Sequence, residues 1–179
     1  MGIFGSSNPV FDMLKQDHSK VKNLFEEFEG AKDSRTKQRI IETALLELEV
    51  HAKLEETLIY PAIRKNVDAD KIMDEALEEH HVAHTLIKEL KRRSGTNSRY
   101  EAKFKVLGES IKHHIKEEEG PMFSEAEKAD LDWDELKQKA IEYKNSLMTR
   151  KEKGGRANAR RRTAKSRRRN KPRHLRKVA

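Results

Sequence analysis

The most informative residues in the sequence are two histidine–glutamate pairs that repeat the same spacing. His51 precedes Glu55 by four residues, and His114 precedes Glu118 by four residues. In each copy a second glutamate follows the first directly, and an aromatic residue stands nine positions after the histidine. Residues four apart lie on one face of an α-helix, so each imidazole can point at the same place as its carboxylate. Two such pairs on two helices predict a shared metal centre.

Three further histidines fall in the apolar stripes of predicted helices and extend this centre. A buried unpaired carboxylate costs on the order of several kcal/mol, so a cation that neutralises the glutamates and also uses the imidazole nitrogens is favoured. The predicted metal ligands are His18, His51, Glu55, His80, His84, His114 and Glu118. Seven ligands are too many for one tetrahedral zinc, whereas two ions bridged by the two glutamates use them all. Imidazole and carboxylate donors favour iron, with manganese next.

The helical periodicity of apolar residues places these ligands on four long helices, and no segment alternates as a strand would. A shorter fifth helix follows, around Trp133 and Tyr143. The fold class predicted is all-α: an antiparallel up-down four-helix bundle with an added C-terminal helix and a disordered basic tail. The predicted boundary signals are Asn8-Pro9 and Gly30 for the first helix, Asp33 or Ser34 for the second, Asp68 for the third, and a turn at 95–98 with a Ser98–Glu101 capping box for the fourth.

Charge divides the chain into an acidic domain and a basic tail. Residues 1–149, the predicted metal-binding bundle, carry a net charge of −6, and residues 150–179 carry +14. The tail is rich in arginine and lysine with almost no apolar content, so it is predicted to be disordered in isolation.

Other features of the composition exclude several classes of protein. The chain contains no cysteine, which excludes disulfides and thiolate metal sites. No apolar run approaches the roughly 18 residues of a membrane span, and the first residues lack the basic and apolar blocks of a signal peptide. A cytoplasmic location without membrane contact is the expectation.

The ligand residues and their spacing resemble the hemerythrin-like (HHE cation-binding) family over residues of about 8–148. The resemblance rests on Asp17-His18, His51-x-x-x-Glu55, Glu79-His80-x-x-x-His84 and His114-x-x-x-Glu118, together with Tyr60-Pro61 and Met122-Phe123. It implies a non-haem di-iron centre with bridging carboxylates and an oxo or hydroxo bridge. It also implies reversible binding or sensing of dioxygen, nitric oxide or iron.

The sequence departs from the family pattern at two positions. The animal oxygen carriers have a histidine and an aspartate five residues apart on the last helix, whereas His114 and Glu118 are four apart, as in the wider bacterial-type family. Oxygen transport is therefore disfavoured. Ser124 also stands where a proline would follow Phe123, which we expect to affect only the end of the helix.

The sequence leaves two alternatives for the ligand set. His81 could replace His80 if the third helix is rotated, because it lies three residues from His84. His113 and Glu117 form a second pair four residues apart, but their neighbours on that face predict exposure to solvent.

Several polar side chains beside the ligands have predicted supporting roles. Asp17 or Glu79 could orient a ligating imidazole, as carboxylates commonly do. Glu56 and Glu119 are predicted to be solvated or to support a ligand rather than to bind metal, and Tyr60 could donate a hydrogen bond near the centre.

Three functions remain after this reasoning. The leading one is a di-iron protein that binds or senses dioxygen or nitric oxide, or buffers iron. The second is an enzyme with the same centre that acts on peroxide or nitric oxide. The third is a stress protein that contacts nucleic acid or another polyanion through residues 151–179, whose arginine runs would bind phosphates without sequence preference.

Overall fold

The computed structural model describes residues 8–68, 70–92 and 97–169, with side chains as far as Lys151, and it contains no strand in those ranges. Its α-helices are α1 (Pro9–Gly30), α2 (Ser34–Leu54), α3 (Tyr60–Arg64), α4 (Asp70–Arg92), α5 (Ser98–Glu117), α6 (Phe123–Ala126) and α7 (Trp133–Arg169). The prediction of an all-α fold is confirmed.

The four long helices α1, α2, α4 and α5 form the bundle. Helix α1 packs on α2 and on α5, and α4 packs on α5 and on α2, which closes an up-down ring. Gly108 lies on α5 where a Cβ atom would come within 3.1 Å of the Phe25 ring of α1, so a glycine lets these two helices approach closely. The ring arrangement turns one face of every long helix toward a common axis.

The helix starts follow the capping signals in the sequence with one correction. Asn8 caps α1 by accepting from the backbone N–H groups of Val10 and Phe11, and Asp33 caps α2. The N-cap of α5 is Asn97, whose side chain accepts from the N–H of Tyr100, and not the predicted Ser98. Asparagine and serine are about equally good N-caps, so the sequence pattern alone does not separate neighbouring candidates.

Two predicted boundaries fall wholly or partly on residues outside the described ranges. Helix α4 begins at Asp70, two positions after the predicted cap Asp68, and Ala69 between them is one of those residues. Gly95 and Thr96 of the turn predicted at 95–98 also lie outside the described residues.

A π-helical turn interrupts the regular helix after each histidine–glutamate pair. These turns span Glu55–Ile59 between α2 and α3, and Glu118–Met122 between α5 and α6. Pro61 and Pro121 lie within or just after them, where a missing backbone N–H disturbs the usual hydrogen-bond ladder. Short π-helical turns inside α-helices are frequent at functional sites, and here each begins at a predicted bridging glutamate.

The chain divides into two compact units, Met1–Lys144 and Asn145–Ala179. In the second unit the backbone of α7 is helical as far as Arg169, beyond residue 150, where the predicted tail begins. Arginine, lysine and alanine have high helix propensity, but this segment lacks an apolar face that tertiary packing could stabilise. For residues 170–179 the prediction of disorder lies outside the described residues.

In the described part of the chain, no helix carries enough consecutive apolar sequence to cross a bilayer.

Candidate metal centre

A single layer of buried polar side chains separates two apolar cores inside the bundle. One core contains Phe11, Tyr60 and Phe123, and the other contains Phe28 and Phe104. The polar layer between them consists of His18, His51, Glu55, His80, His114 and Glu118, each at most 7% exposed. Apolar packing on both sides fixes these side chains and excludes water from them.

The four histidines of this layer form two pairs with their Nε2 atoms facing each other. Nε2 of His18 lies 3.0 Å from Nε2 of His51, and Nε2 of His80 lies 3.2 Å from Nε2 of His114. In each pair the two Nε2 atoms therefore face a common point between the rings. Depending on the tautomers, that point lies between two nitrogen lone pairs or holds one proton that the two nitrogens share. Two imidazole ligands of one ion would be turned in the same way.

The two glutamates lie between these histidine pairs. Oε1 of Glu55 is 2.9 Å from His51 Nε2, and its Oε2 is 3.4 Å from His80 Nε2, so one carboxylate faces both pairs. Oε2 of Glu118 is 3.0 Å from His18 Nε2 and 3.8 Å from His114 Nε2. The resulting donor groups are His18, His51, Glu55 and Glu118 on one side and Glu55, His80 and His114 on the other, with the atoms of each group within 4.8 Å of one another.

The hydrogen bonding of these carboxylates tests whether a cation fits. Both oxygens of Glu55 and Oε2 of Glu118 are buried and have no hydrogen-bond partner of good geometry. Buried polar atoms are normally satisfied, and an exception points to a missing ion or water. Bound cations would satisfy these three oxygens and the four inward nitrogens, so the donor set fits metal binding.

A second ring of carboxylates contacts the outward nitrogens of the same histidines. The Nδ1 contacts are His18 with Glu119 at 2.8 Å, His51 with Asp17 at 3.5 Å, His80 with Glu56 at 3.3 Å, and His114 with Glu79 at 2.8 Å. The two 2.8 Å contacts are hydrogen bonds, and they favour the tautomer of His18 and His114 in which Nδ1 carries the proton and Nε2 is free to bind metal. Nδ1 of His51 and of His80 lies near its carboxylate without a hydrogen bond of good geometry. Lys144 donates in turn to Asp17.

The contacts of the two rings repeat between two halves of the bundle, which follow the sequence repeat. The first half consists of α1, α2 and the π-helical turn after α2, and the second consists of α4, α5 and the π-helical turn after α5. The acid before the first histidine of each half, Asp17 or Glu79, contacts the second histidine of its own half. The second glutamate of each Glu-Glu pair contacts the first histidine of the opposite half. The halves therefore hold each other's ligands in place, and neither half has a complete set alone.

Electrostatics in the layer are dominated by the attraction between the imidazoles and the carboxylates. Burial by itself lowers the pKa of His51, but Glu55 and Asp17 outweigh it and raise that pKa to about 10. Burial likewise opposes ionisation of His80, yet Glu55 and Glu56 raise its pKa to about 9. Burial alone would raise the pKa of Glu55, but His51 and His80 hold it well below its usual range. A metal bound through Nε2 of His51 or His80 would have to displace a proton from that imidazole, because only the deprotonated nitrogen coordinates.

The structure brings six of the seven predicted ligands together and leaves one outside. His84 is 40% exposed, and its Nε2 hydrogen-bonds Glu56 at 2.8 Å instead of facing the centre. His80 lies in the polar layer while His81 is exposed, so the helix is not rotated as the alternative with His81 would require. His113 is 64% exposed, and only His114 of that pair faces inward.

The regular ring of outer carboxylates is what the sequence reasoning missed. It anticipated Asp17 or Glu79 as an orienting group, but not that Glu56 and Glu119 would give every buried histidine of the layer a carboxylate neighbour. A usable signal was present, because each of the four acids directly precedes or follows a predicted ligand in the sequence.

The position of His84 leads to a prediction about metal content. Replacing His84 by Ala should leave the bound metal unchanged, because its nitrogen faces Glu56 and not the inward donor atoms. Replacing His80 by Ala, one turn earlier on α4, should remove at least one equivalent. Elemental analysis of both variants after identical loading is the measurement. Equal losses from the two variants would show that His84 also binds the metal.

The fold and this site define a helical-bundle protein with a buried histidine–carboxylate centre for cations. The sequence model of the Hemerythrin HHE cation binding domain matches residues 10–126. This chain therefore belongs to the hemerythrin HHE cation-binding domain family.

Two other comparisons extend this assignment. A crystal structure of a hemerythrin HHE cation binding domain-containing protein from Mycobacterium kansasii is similar with a TM-score of 0.67 and 23% identity, covering 82% of this chain and 94% of that one. This likeness shows the fold. A relative named DNA nickase, from Nostoc sp. (strain PCC 7120), is 26% identical over 138 residues. The match covers 75% of this chain and 38% of the relative, so the chain spans well under half of that protein's length.

Proposed function

We propose that this protein holds a pair of iron ions and uses them to bind or sense dioxygen or nitric oxide, or to buffer iron. The observation that carries the proposal is the arrangement of His18 with His51 and of His80 with His114, each pair with Nε2 atoms turned together. Glu55 lies between the pairs with one oxygen toward each. This is a donor set for two ions that share a carboxylate.

The donor chemistry supports iron over other metals. Four imidazole nitrogens suit iron, zinc or copper, and carboxylate oxygens favour harder ions, so the mixture selects iron with manganese as the next choice. When bound, a ferrous pair would supply electrons and exchangeable positions for a diatomic molecule.

The protein's own residues determine what can reach the centre. A small cavity beside the four ligating histidines is walled mainly by apolar side chains, including Val21, Leu48, Ile87 and Ile111. Such a wall admits a small uncharged molecule without desolvating a charge and disfavours larger polar ones. The carboxylates on Nδ1 hold the imidazoles in position while a ligand enters or leaves.

The test is metal analysis of protein produced with iron, together with an ultraviolet–visible spectrum before and after exposure to air. Two iron equivalents and a near-ultraviolet band that appears on oxidation are expected. A colourless protein that holds only zinc would contradict the proposal.

A turnover assay on the iron-loaded protein separates binding from catalysis. Catalytic loss of peroxide or nitric oxide that disappears in Glu118→Ala would favour an enzyme.

A second function, contact with nucleic acid, is favoured by two observations. Residues 150–179 carry a net charge of +14, and a relative named DNA nickase is similar over 138 residues. Because the match covers 38% of that relative, its DNA activity transfers to this chain only as a proposal. Arginine side chains that neutralise phosphates release counterions, so such binding weakens steeply with salt.

A cytoplasmic location also remains a prediction from the sequence.

Neutralising part of the basic segment tests this second function. Replacing Arg160, Arg161 and Arg162 by Gln should weaken binding to duplex DNA by at least about tenfold at low salt and reduce the salt slope by roughly three units. Fluorescence anisotropy at several salt concentrations is the measurement. The metal content should be unchanged. Binding that survives both this change and removal of residues 151–179 would show that the segment is not the anchor.

A further inference from the structure

The two halves of the centre differ at one position that the repeat makes equivalent. The aromatic residue nine positions after the histidine is Tyr60 in the first copy and Phe123 in the second. Both side chains are buried. The Tyr60 hydroxyl donates a hydrogen bond of 3.2 Å to Oε1 of Glu118, the buried glutamate of the opposite half. Phe123 has no hydroxyl to offer Glu55, and its ring stacks on Phe11 at 4.2 Å between centroids.

This single difference makes the two buried carboxylates unequal. Glu55 has both oxygens free of hydrogen bonds, one toward each histidine pair. Glu118 has only Oε2 free, and that one atom faces both pairs, since it lies 3.0 Å from His18 Nε2 and 3.8 Å from His114 Nε2. Its other oxygen is committed to the phenol.

The Tyr60 hydrogen bond is well placed to persist. The ring is 3% exposed and lies against His80, with 5.7 Å between ring centroids and 22° between planes. A buried hydroxyl that lost its carboxylate partner would be left unsatisfied, which costs more than the bond itself contributes. The packing of the ring therefore keeps the phenol directed at Glu118.

We propose that Tyr60 is a positioning residue that restricts Glu118 to donating through one oxygen, so that the ion pair keeps a place open for a small external ligand. This inference rests on the two-ion centre proposed above. Without the phenol, Oε1 of Glu118 would be a buried carboxylate oxygen with no partner other than metal. It would then add a donor to the pair and compete with the external ligand.

The inference predicts opposite changes in two affinities. In Tyr60→Phe, the freed oxygen should increase the affinity for the second ion, because one more donor becomes available. The same change should weaken binding of an external ligand. We expect about tenfold or more in each, the size associated with one hydrogen bond to a charged group. A residue that merely filled space would lower both affinities or neither.

The experiment titrates the full-length protein with Co²⁺, followed by its visible absorption, and then titrates the loaded protein with azide. Wild type, Tyr60→Phe and Tyr100→Phe are compared. Tyr100 is a matched control, because it is also buried but belongs to the other apolar core. The control should behave as wild type, and circular dichroism should show the same helix content in all three.

The outcomes separate the two proposals. Two ions bound, with tighter metal and weaker azide only in Tyr60→Phe, supports the role of Tyr60. If two ions bind but the azide affinity of Tyr60→Phe is unchanged or increased, the role of Tyr60 is overturned. The same holds if the azide affinity and the metal affinity fall together. In each case the two-ion centre remains intact. Fewer than two ions in wild type overturns the proposed function and this inference with it.

Discussion

The Glu55→Ala protein is expected to lose the paired metal centre. Glu55 is the carboxylate whose two oxygens face the two histidine pairs, at 2.9 and 3.4 Å from His51 and His80. Its removal takes one anionic donor from each ion. Loss of an outer partner alone typically costs about 10- to 100-fold in metal affinity, so loss of a shared ligand should exceed that range. Elemental analysis and calorimetric titration with iron or Co²⁺ would measure the change.

A second buried glutamate on the same helix provides the control for this prediction. Glu47 is 8% exposed and lies two turns before Glu55 on α2, where it pairs with Lys20 at 2.8 Å and not with the histidines. Glu47→Ala should therefore keep its full metal content even if its stability falls. If Glu55→Ala also retained both ions at wild-type affinity, the shared-carboxylate centre would be wrong.

Removal of metal is expected to lower the thermal stability of the bundle substantially. The polar layer contains three buried carboxylate oxygens without a hydrogen-bond partner, and metal is what would satisfy them. A ligand present at about 1,000 times its dissociation constant stabilises a protein by about 4 kcal/mol. For a chain of this size each kcal/mol shifts the melting temperature by roughly 2–4 °C. A chelator should therefore lower the melting temperature by roughly 10 °C.

The measurement is calorimetry or circular dichroism on matched metal-loaded and chelated samples. Glu55→Ala serves as the reference, because a protein that binds no metal should melt at the same temperature in both conditions. The prediction fails if the wild-type protein melts identically with and without metal. That result would mean that the imidazole–carboxylate proton sharing already satisfies the layer.

Helical periodicity was sufficient to predict most of the side chains that meet in the polar layer. The pairs His51–Glu55 and His114–Glu118 are local, since both members lie on one helix face whatever the helix packs against. His18 and His80 stand in apolar stripes that the bundle turns inward, and both are buried. These residues were predictable because each depends on a single helix and on the burial of its apolar side.

The departures arise where position along the bundle axis matters. His84 shares the stripe of His80, but four residues advance a helix by about 6 Å and rotate it by roughly 40°. That displacement takes His84 past the polar layer to Glu56 and toward solvent. The choice of Asn97 over Ser98 as a cap is similarly fine, since it depends on which side chain reaches the N–H of Tyr100.

The sequence by itself determined four amphipathic helices, the centre they enclose and the residue types available to it, because side-chain spacing on a helix is set by local geometry. Only the tertiary structure decided which histidines pair, which outer acid contacts which imidazole, and that Tyr60 donates to Glu118 across the bundle. Those contacts join residues on different helices. Their distances depend on the relative depth and rotation of packed helices, which no spacing within a single helix specifies.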